Sequence, residues 1–96
     1  MDMRQLIREK RDKILSIAAK HGASNVRLFG SVARGEDTPD SDIDLLIDAG
    51  PTTSSWFPAG LILDLQEVIG RRVDIVTENG LNPHLRDQVL HEAIPL

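Results

Sequence analysis

The 96-residue chain contains no cysteine. That excludes a disulfide framework, a thiolate zinc site and a cysteine nucleophile, leaving carboxylates, hydroxyls and three histidines to carry any chemistry. Aromatic residues make up only 3% of the composition, too few to stack successive bases of a single strand, and most of the chain is acidic, so direct nucleic-acid binding is not expected. No apolar run approaches the roughly 20 residues that span a bilayer, and the N-terminus is charged from Asp2 onward, unlike a secretory signal. These absences predict a cytoplasmic protein with no membrane partner. The length predicts one domain over residues 1–96 with one modest core, and no second domain to grip an acceptor.

The charge that is present is unevenly placed. Behind a net −4, residues 1–20 carry six Lys/Arg against three Asp/Glu, while residues 21–96 carry five against twelve. Arg4, Arg8 and Arg11 recur at helical spacing, the pattern of a solvated face or of a partner contact. Glu36, Asp37, Asp40, Asp42, Asp44 and Asp48 crowd together, and their repulsion needs relief from solvent or cations. The first three share their stretch with Thr38 and Pro39 and read as a solvated turn.

Apolar residues at three, four and seven, among them Met3, Leu6, Ile7, Ile14, Ile17 and Ala18 with Lys10 filling one gap, predict a helix over residues 2–21 that Gly22 ends. Val26 to Phe29 is a β-prone run that meets a sharp turn at Gly30-Ser31, with a helical turn over Val32 to Arg34. Asp42 to Asp48 alternates: Ile43, Leu45 and Ile47 share one face, and Asp42, Asp44, Leu46 and Asp48 share the other, predicting a strand with a core side and a wet side. A loop over Ala49 to Ser55 leads to a helix capped by Ser54 or Ser55, striped by Leu61, Ile62, Leu65, Val68 and Ile69, and stopped by Gly70. Arg72 to Val76 alternates again, with Asp74 opposite Val73 and Ile75. Glu78-Asn79-Gly80 is a turn, and Asn82-Pro83 opens a helix to about Glu92. The order α-β-β-α-β-α predicts an α/β (α+β) fold.

Trp56 and Phe57, adjacent in a chain almost devoid of aromatics, read either as a lid over the core or as a surface for base stacking or partner docking. His21 suits the negative pole of the first helix, and His84 and His91, seven apart on a short helix, do not read as a metal site.

Aspartates at i and i+2 on a strand point to the same side of the sheet, close enough to share cations, and the apolar residues between them anchor the strand. With Val73 and Ile75 in the core, Asp74 on a neighbouring strand joins Asp42 and Asp44, a hard-oxygen set suited to Mg²⁺ or Mn²⁺ rather than zinc. Gly30 lets the backbone approach a phosphate, whose oxygens the exposed N–H groups and the Ser31 hydroxyl can hold. Arg34, one turn on, can reach the same phosphates or pair with Glu36 or Asp37. Neither Gly-Ser nor Asp-x-Asp is informative alone, and without the Gly-Ser turn the aspartates read better as exposed strand carboxylates.

In combination, Gly30-Ser31, ten intervening residues, Asp42-Ile43-Asp44 and then Arg72-Val73-Asp74-Ile75-Val76 resemble the polymerase-β-like nucleotidyltransferases. The fuller stretch Leu28-Phe29-Gly30-Ser31-Val32-Ala33-Arg34-Gly35, with Ser41-Asp42-Ile43-Asp44-Leu45, is most similar to the minimal nucleotidyltransferase branch. Small members of that branch are commonly antitoxins to HEPN-domain ribonuclease toxins. The resemblance runs from the leading helix through Asp74 and constrains little after Glu78.

The resemblance implies a short mixed sheet with helices on one face and the active site on the other. It implies that Gly30, Ser31 and Arg34 bind nucleotide phosphates, that Asp42 and Asp44 ligate a pair of Mg²⁺ (or Mn²⁺) ions, and that Asp74 is the third carboxylate. It further implies transfer of AMP from ATP to a hydroxyl, a tyrosine of the HEPN partner, within a hetero-oligomer. Two alternatives stay open: an antitoxin that neutralises its toxin by binding alone, and an adenylyltransferase for a small molecule such as an aminoglycoside.

Overall fold

A computed structural model describes residues 2–51, 53 and 56–96. The expected helix over residues 2–21 is two, α1 (Met3–Glu9) and α2 (Arg11–Lys20). Asp2 caps the first, its carboxylate accepting from the Gln5 N–H at 2.8 Å. The pair behaves as one kinked rod: the Lys10 N–H still reaches the Leu6 carbonyl (3.1 Å) and the Ile14 N–H the Lys10 carbonyl (2.9 Å). Ile7 and Ile14 on either side of the kink are both buried. The kink falls where a lysine fills the apolar repeat, with neither proline nor glycine to force it.

Four strands follow the order β3-β2-β1-β4, where β1 is Ala23–Phe29, β2 Ile43–Ala49, β3 Val73–Thr77 and β4 Ile94–Pro95. β1 and β2 are antiparallel, and β2 and β3 are parallel, so their connection crosses over through helix α4 (Ala59–Ile69). β1 starts earlier than its apolar run suggests. Ala23 and Val26 are both buried although three residues apart, which strict alternation forbids; a bulge between Ser24 and Arg27, with Asn25 at φ 51°, reconciles them. The core side of the sheet presents Val26, Leu28, Ile43, Leu45, Ile47, Val73 and Ile75 to Ile14 and Ala18 of α2 and Leu61, Leu65 and Ile69 of α4. Each such large side chain contributes about 1.5–3 kcal/mol by leaving water, which fixes the register of β2 and with it the direction of its aspartates.

Two further features depart from what the sequence predicts, and a third decides between alternatives. Leu46, assigned to the wet side, is fully buried; its register neighbours are Arg27 and Val76, and the ion pairs of Arg27 make that part of the face dry. The edge strand β4 was not expected: it pairs with Leu28 and Arg27, and the Leu96 N–H reaches the Val26 carbonyl at 3.0 Å. Trp56 is 79% exposed, whereas Phe57 packs against the core, so the lid reading fits Phe57 and not Trp56. Ser54 and Ser55, the expected helix caps, lie outside the described residues.

The last helix, α5 (Pro83–Glu92), starts as expected, with Asn82 Oδ1 accepting from the His84 N–H at 2.9 Å. None of its residues is buried. It is tied instead by charge, Arg86 to Glu78 at 2.9 Å and Glu92 to Arg34 at 3.2 Å. His21 closes α2 and joins it to α4 through Asp64, 2.7 Å from its Nε2. Among the described residues, no helix is long and apolar enough to cross a membrane.

Candidate active site

β2 and β3 run in parallel with Asp44 directly beside Asp74, the pair lying opposite the buried Ile43, Leu45, Val73 and Ile75. Adjacent strands stand about 4.8 Å apart, so two carboxylates face each other across one strand spacing. Asp42 lies just before β2. The loop that delivers it is closed by a local turn, with the Thr38 N–H on Ser41 Oγ at 2.8 Å and the Ser41 N–H on the Thr38 carbonyl at 3.0 Å, and Arg71 donates to the carbonyls of Thr38 and Ser41. Arg72 Nε lies 3.0 Å from Asp42 Oδ1. That approach is not aligned for hydrogen bonding, and Oδ1, shut off from water, has no donor.

The electrostatics record this crowding. Burial, reinforced by the charges of Asp74 and Asp42, pushes the Asp44 carboxyl up to about 6; Glu92 adds to the rise and Arg34 opposes it. Among the described residues, no three acidic or histidine side chains stand close enough to form a ready-made cation cage. Asp42, Asp44 and Asp74 therefore share a face and a field without converging on one point.

The Gly30-Ser31 turn meets Asp44 directly. β1 ends at Phe29, the register partner of Asp44, and Gly30 turns with φ 76° into the five-residue helix α3 (Gly30–Arg34). A Cβ on Gly30 would collide with Asp44 Oδ2 and stand 3.0 Å from its Cγ. Glycine is required here twice over, for the left-handed backbone and for the room it leaves a carboxylate. Arg34, at the end of α3, pairs with Glu36 at 3.0 Å, one of the two partners weighed for it from the sequence, and also with Glu92. Both carboxylates raise the already high pKa of its guanidinium.

Two residues at this face carry no local sequence signal. Arg27, 9% exposed, donates to Asp48 Oδ1 at 2.9 Å and to the Asn25 carbonyl at 3.0 Å, with Glu78 Oε2 at 3.5 Å. Glu92 accepts from the Gly30 N–H at 3.1 Å and from Arg34 Nη1 at 3.2 and 3.3 Å. Their partners lie far away in sequence, so only the fold brings them together. Arg4, Arg8 and Arg11 line a different feature, a pocket of about 250 Å³ floored by Ile7, Leu28 and Ile94, whose lining includes none of the aspartates.

Known proteins resemble this chain in sequence and fold. The family model of the nucleotidyltransferase domain matches residues 8–96. A Methanocaldococcus jannaschii protein provisionally named a protein adenylyltransferase is 41% identical, the match covering 92% of this chain and 95% of that protein. The protein adenylyltransferase MntA of Thermococcus cleftensis is 32% identical over 96% of this chain and 98% of its own length. A solved structure provisionally described as a minimal nucleotidyltransferase superposes with a TM-score of 0.86 at 53% identity, covering 100% of this chain and 97% of that one. The structure of a toxin–antitoxin with AMP-PNP, 24% identical, shares the fold at a TM-score of 0.73 over 88% of this chain and 69% of that one. With its mixed sheet, its Gly-Ser turn set against a strand aspartate, and a family match over nearly all its length, the chain belongs to the nucleotidyltransferase domain family.

Proposed function

We propose that this protein transfers AMP from ATP to a hydroxyl on a partner protein, a tyrosine of a HEPN-domain toxin, and so acts as its antitoxin. The observation that carries the reading is the contact between Gly30 and Asp44, which joins a phosphate-binding turn to a carboxylate face within one van der Waals distance. The relatives' names, protein adenylyltransferase in both cases, support a protein as acceptor. A chain of the same fold in a toxin–antitoxin structure with AMP-PNP supports an adenine nucleotide and a toxin partner.

The donor set fits a divalent ion. Asp42 Oδ1 is an inaccessible carboxylate oxygen with no hydrogen-bond donor, Arg72 being close but misaligned, and burial together with the charges of Asp74 and Asp42 pushes Asp44 up to about 6, so the negative charge of this face is incompletely compensated. A complete protein cage is not needed, because Mg²⁺ keeps waters and takes substrate phosphates beside one or two carboxylates. Asp42 and Asp44 would hold such ions, Mg²⁺ or Mn²⁺, with Asp74 completing the set. When bound, they supply positive charge for the triphosphate and lower the pKa of the incoming hydroxyl.

The chain's own residues do the rest. Gly30 and Ser31 hold phosphate oxygens through their N–H groups and the Ser31 hydroxyl, and Arg34 adds its guanidinium. Asp44, pressed against Gly30, fixes the distance between the phosphates and the carboxylate face. Asp74 is exposed, so it can accept the proton of an arriving hydroxyl. The hydroxyl oxygen bonds to the α-phosphorus as the bond to the bridging oxygen breaks, giving an AMP ester and pyrophosphate.

Incubation with Mg²⁺, labelled ATP and the product of the adjacent gene, comparing wild type with Asp42→Ala and Asp44→Ala, tests the reading. The expected result is label on the partner with wild type only. If nothing is labelled while wild type and variants neutralise the toxin equally, the protein is an antitoxin by occlusion and the proposal fails. Label on an aminoglycoside instead of a protein would make it a small-molecule enzyme.

A further inference from the structure

The groups assigned above to the triphosphate are already engaged by an anion belonging to the chain itself. Glu92, the last residue of α5, accepts the Gly30 N–H at 3.1 Å and places both carboxylate oxygens on Arg34 Nη1 at 3.2 and 3.3 Å. Its side chain is only 18% exposed. A backbone N–H at a glycine turn together with an arginine is what a phosphate oxygen would require, and here a carboxylate satisfies both.

The position is also a poor one for a negative charge. Glu92 stands at the C-terminal end of a helix, where unpaired carbonyls disfavour anions. It faces the field of Asp44, whose carboxyl it helps to push upward. Glu92 is held there by Gly30 and Arg34 against its helix and its neighbours, which is the condition for ready exchange against a more highly charged anion. Arg34 has a second carboxylate, Glu36, on Nε at 3.0 Å, but that one is 67% exposed and screened by water.

We infer that Glu92 is a built-in occupant of the phosphate site, which the triphosphate must displace from Gly30 and Arg34 in order to bind. It is a positioning residue: in the unliganded protein it keeps Arg34 and the Gly30 turn in place, and it sets the affinity at which nucleotide takes over. Displacement also loosens the end of α5, from which β4 follows directly onto β1. The inference rests on the nucleotide reading above.

The test is titration calorimetry of the full chain with Mg²⁺·ATP and, separately, with Mg²⁺·tripolyphosphate, which lacks the base. Wild type, Glu92→Gln, Glu92→Asp and Glu36→Gln are compared, with thermal melting of each. Removing the charge (Gln) or withdrawing it by one methylene (Asp) is expected to tighten both ligands by about 3- to 10-fold, although melting temperatures stay level or fall. Glu36→Gln should change affinity less than twofold. A purely structural Glu92 would lower melting temperature and weaken or leave unchanged the affinity, overturning the inference. An equal gain in Glu36→Gln would overturn it as well, since any charge near Arg34 would then suffice. Wild-type binding that is unchanged in the Glu92 variants sinks the inference alone, and the absence of binding in every chain sinks the nucleotide reading with it.

Discussion

The Asp44 carboxylate fills the space in which a side chain on Gly30 would sit. Gly30 follows the last residue of β1 and opens α3, and Asp44 lies within the antiparallel neighbour β2, so the contact joins the turn after β1 to the carboxylate row of β2. Gly30→Ala is therefore expected to cost about 2–4 kcal/mol, from a left-handed backbone and a collision together, and to abolish nucleotide transfer. Gly35→Ala provides the comparison. It has φ 73° but nothing within 4 Å of its added carbon, so it should cost about 1 kcal/mol and no more. Denaturant unfolding of the two variants, and of Gly30→Ala with Asp44→Ala, measures the collision: the double variant should recover part of the loss, and strict additivity would contradict the contact.

The Asp44 carboxyl titrates near 6 in the folded, metal-free protein against an ordinary 3.8. A carboxyl with a raised folded pKa favours the folded state in its protonated form, so this contribution is complete below about pH 4 and lost as pH rises through 6. Asp44→Asn should consequently melt higher than wild type at pH 7–8, by about 1–2 kcal/mol after allowance for solvent screening, and the gap should close by pH 4. Added Mg²⁺ should stabilise wild type above pH 6, lose that effect below pH 5 and leave Asp44→Asn largely unmoved. A melting difference that does not vary with pH would show that Asp44 is not crowded as described.

Arg27 is buried beneath the carboxylate face and bridges Asp48 to Glu78. Arg27→Leu takes the arginine from both acids, but Asp48 keeps the Asn25 amide at 3.1 Å and Glu78 keeps Arg86 at 2.9 Å, and their side chains are 45% and 30% exposed. The expected loss is about 1–2 kcal/mol, below that of a fully buried pair. Because Glu78 also holds Arg86, the variant should raise hydrogen exchange in α5 before it affects β2. Unchanged stability would mean that the network contributes nothing.

Much of this arrangement was legible in the sequence because it depends on local periodicity. The alternation from Ile43 to Ile47 places Asp44 opposite the core, the same pattern around Val73 and Ile75 places Asp74, and burial of those apolar residues locks both strands. The features that were missed depend on long-range pairing. Arg27 meets Glu78 across 51 residues and Glu92 meets Arg34 across 58, and an isolated Arg or Glu in a sequence gives no hint of its partner. Alternation alone puts Leu46 on the wet side, because it cannot register that the residue beside it on the neighbouring strand is the buried, ion-paired Arg27. β4 has two residues and a proline, too short and too atypical to stand out without its partner strand.

The central claim, that the Gly30 turn and the aspartate face move a nucleotidyl group, is tested most directly by the position of the label in ATP. With Mg²⁺ and the proposed toxin partner, ATP labelled at the α-phosphate should mark the acceptor, and ATP labelled at the γ-phosphate should leave it unmarked, its label leaving with pyrophosphate. Both signals should be absent with Asp44→Asn. Labelling from the γ-phosphate, or α-labelling that survives Asp44→Asn, would contradict the account.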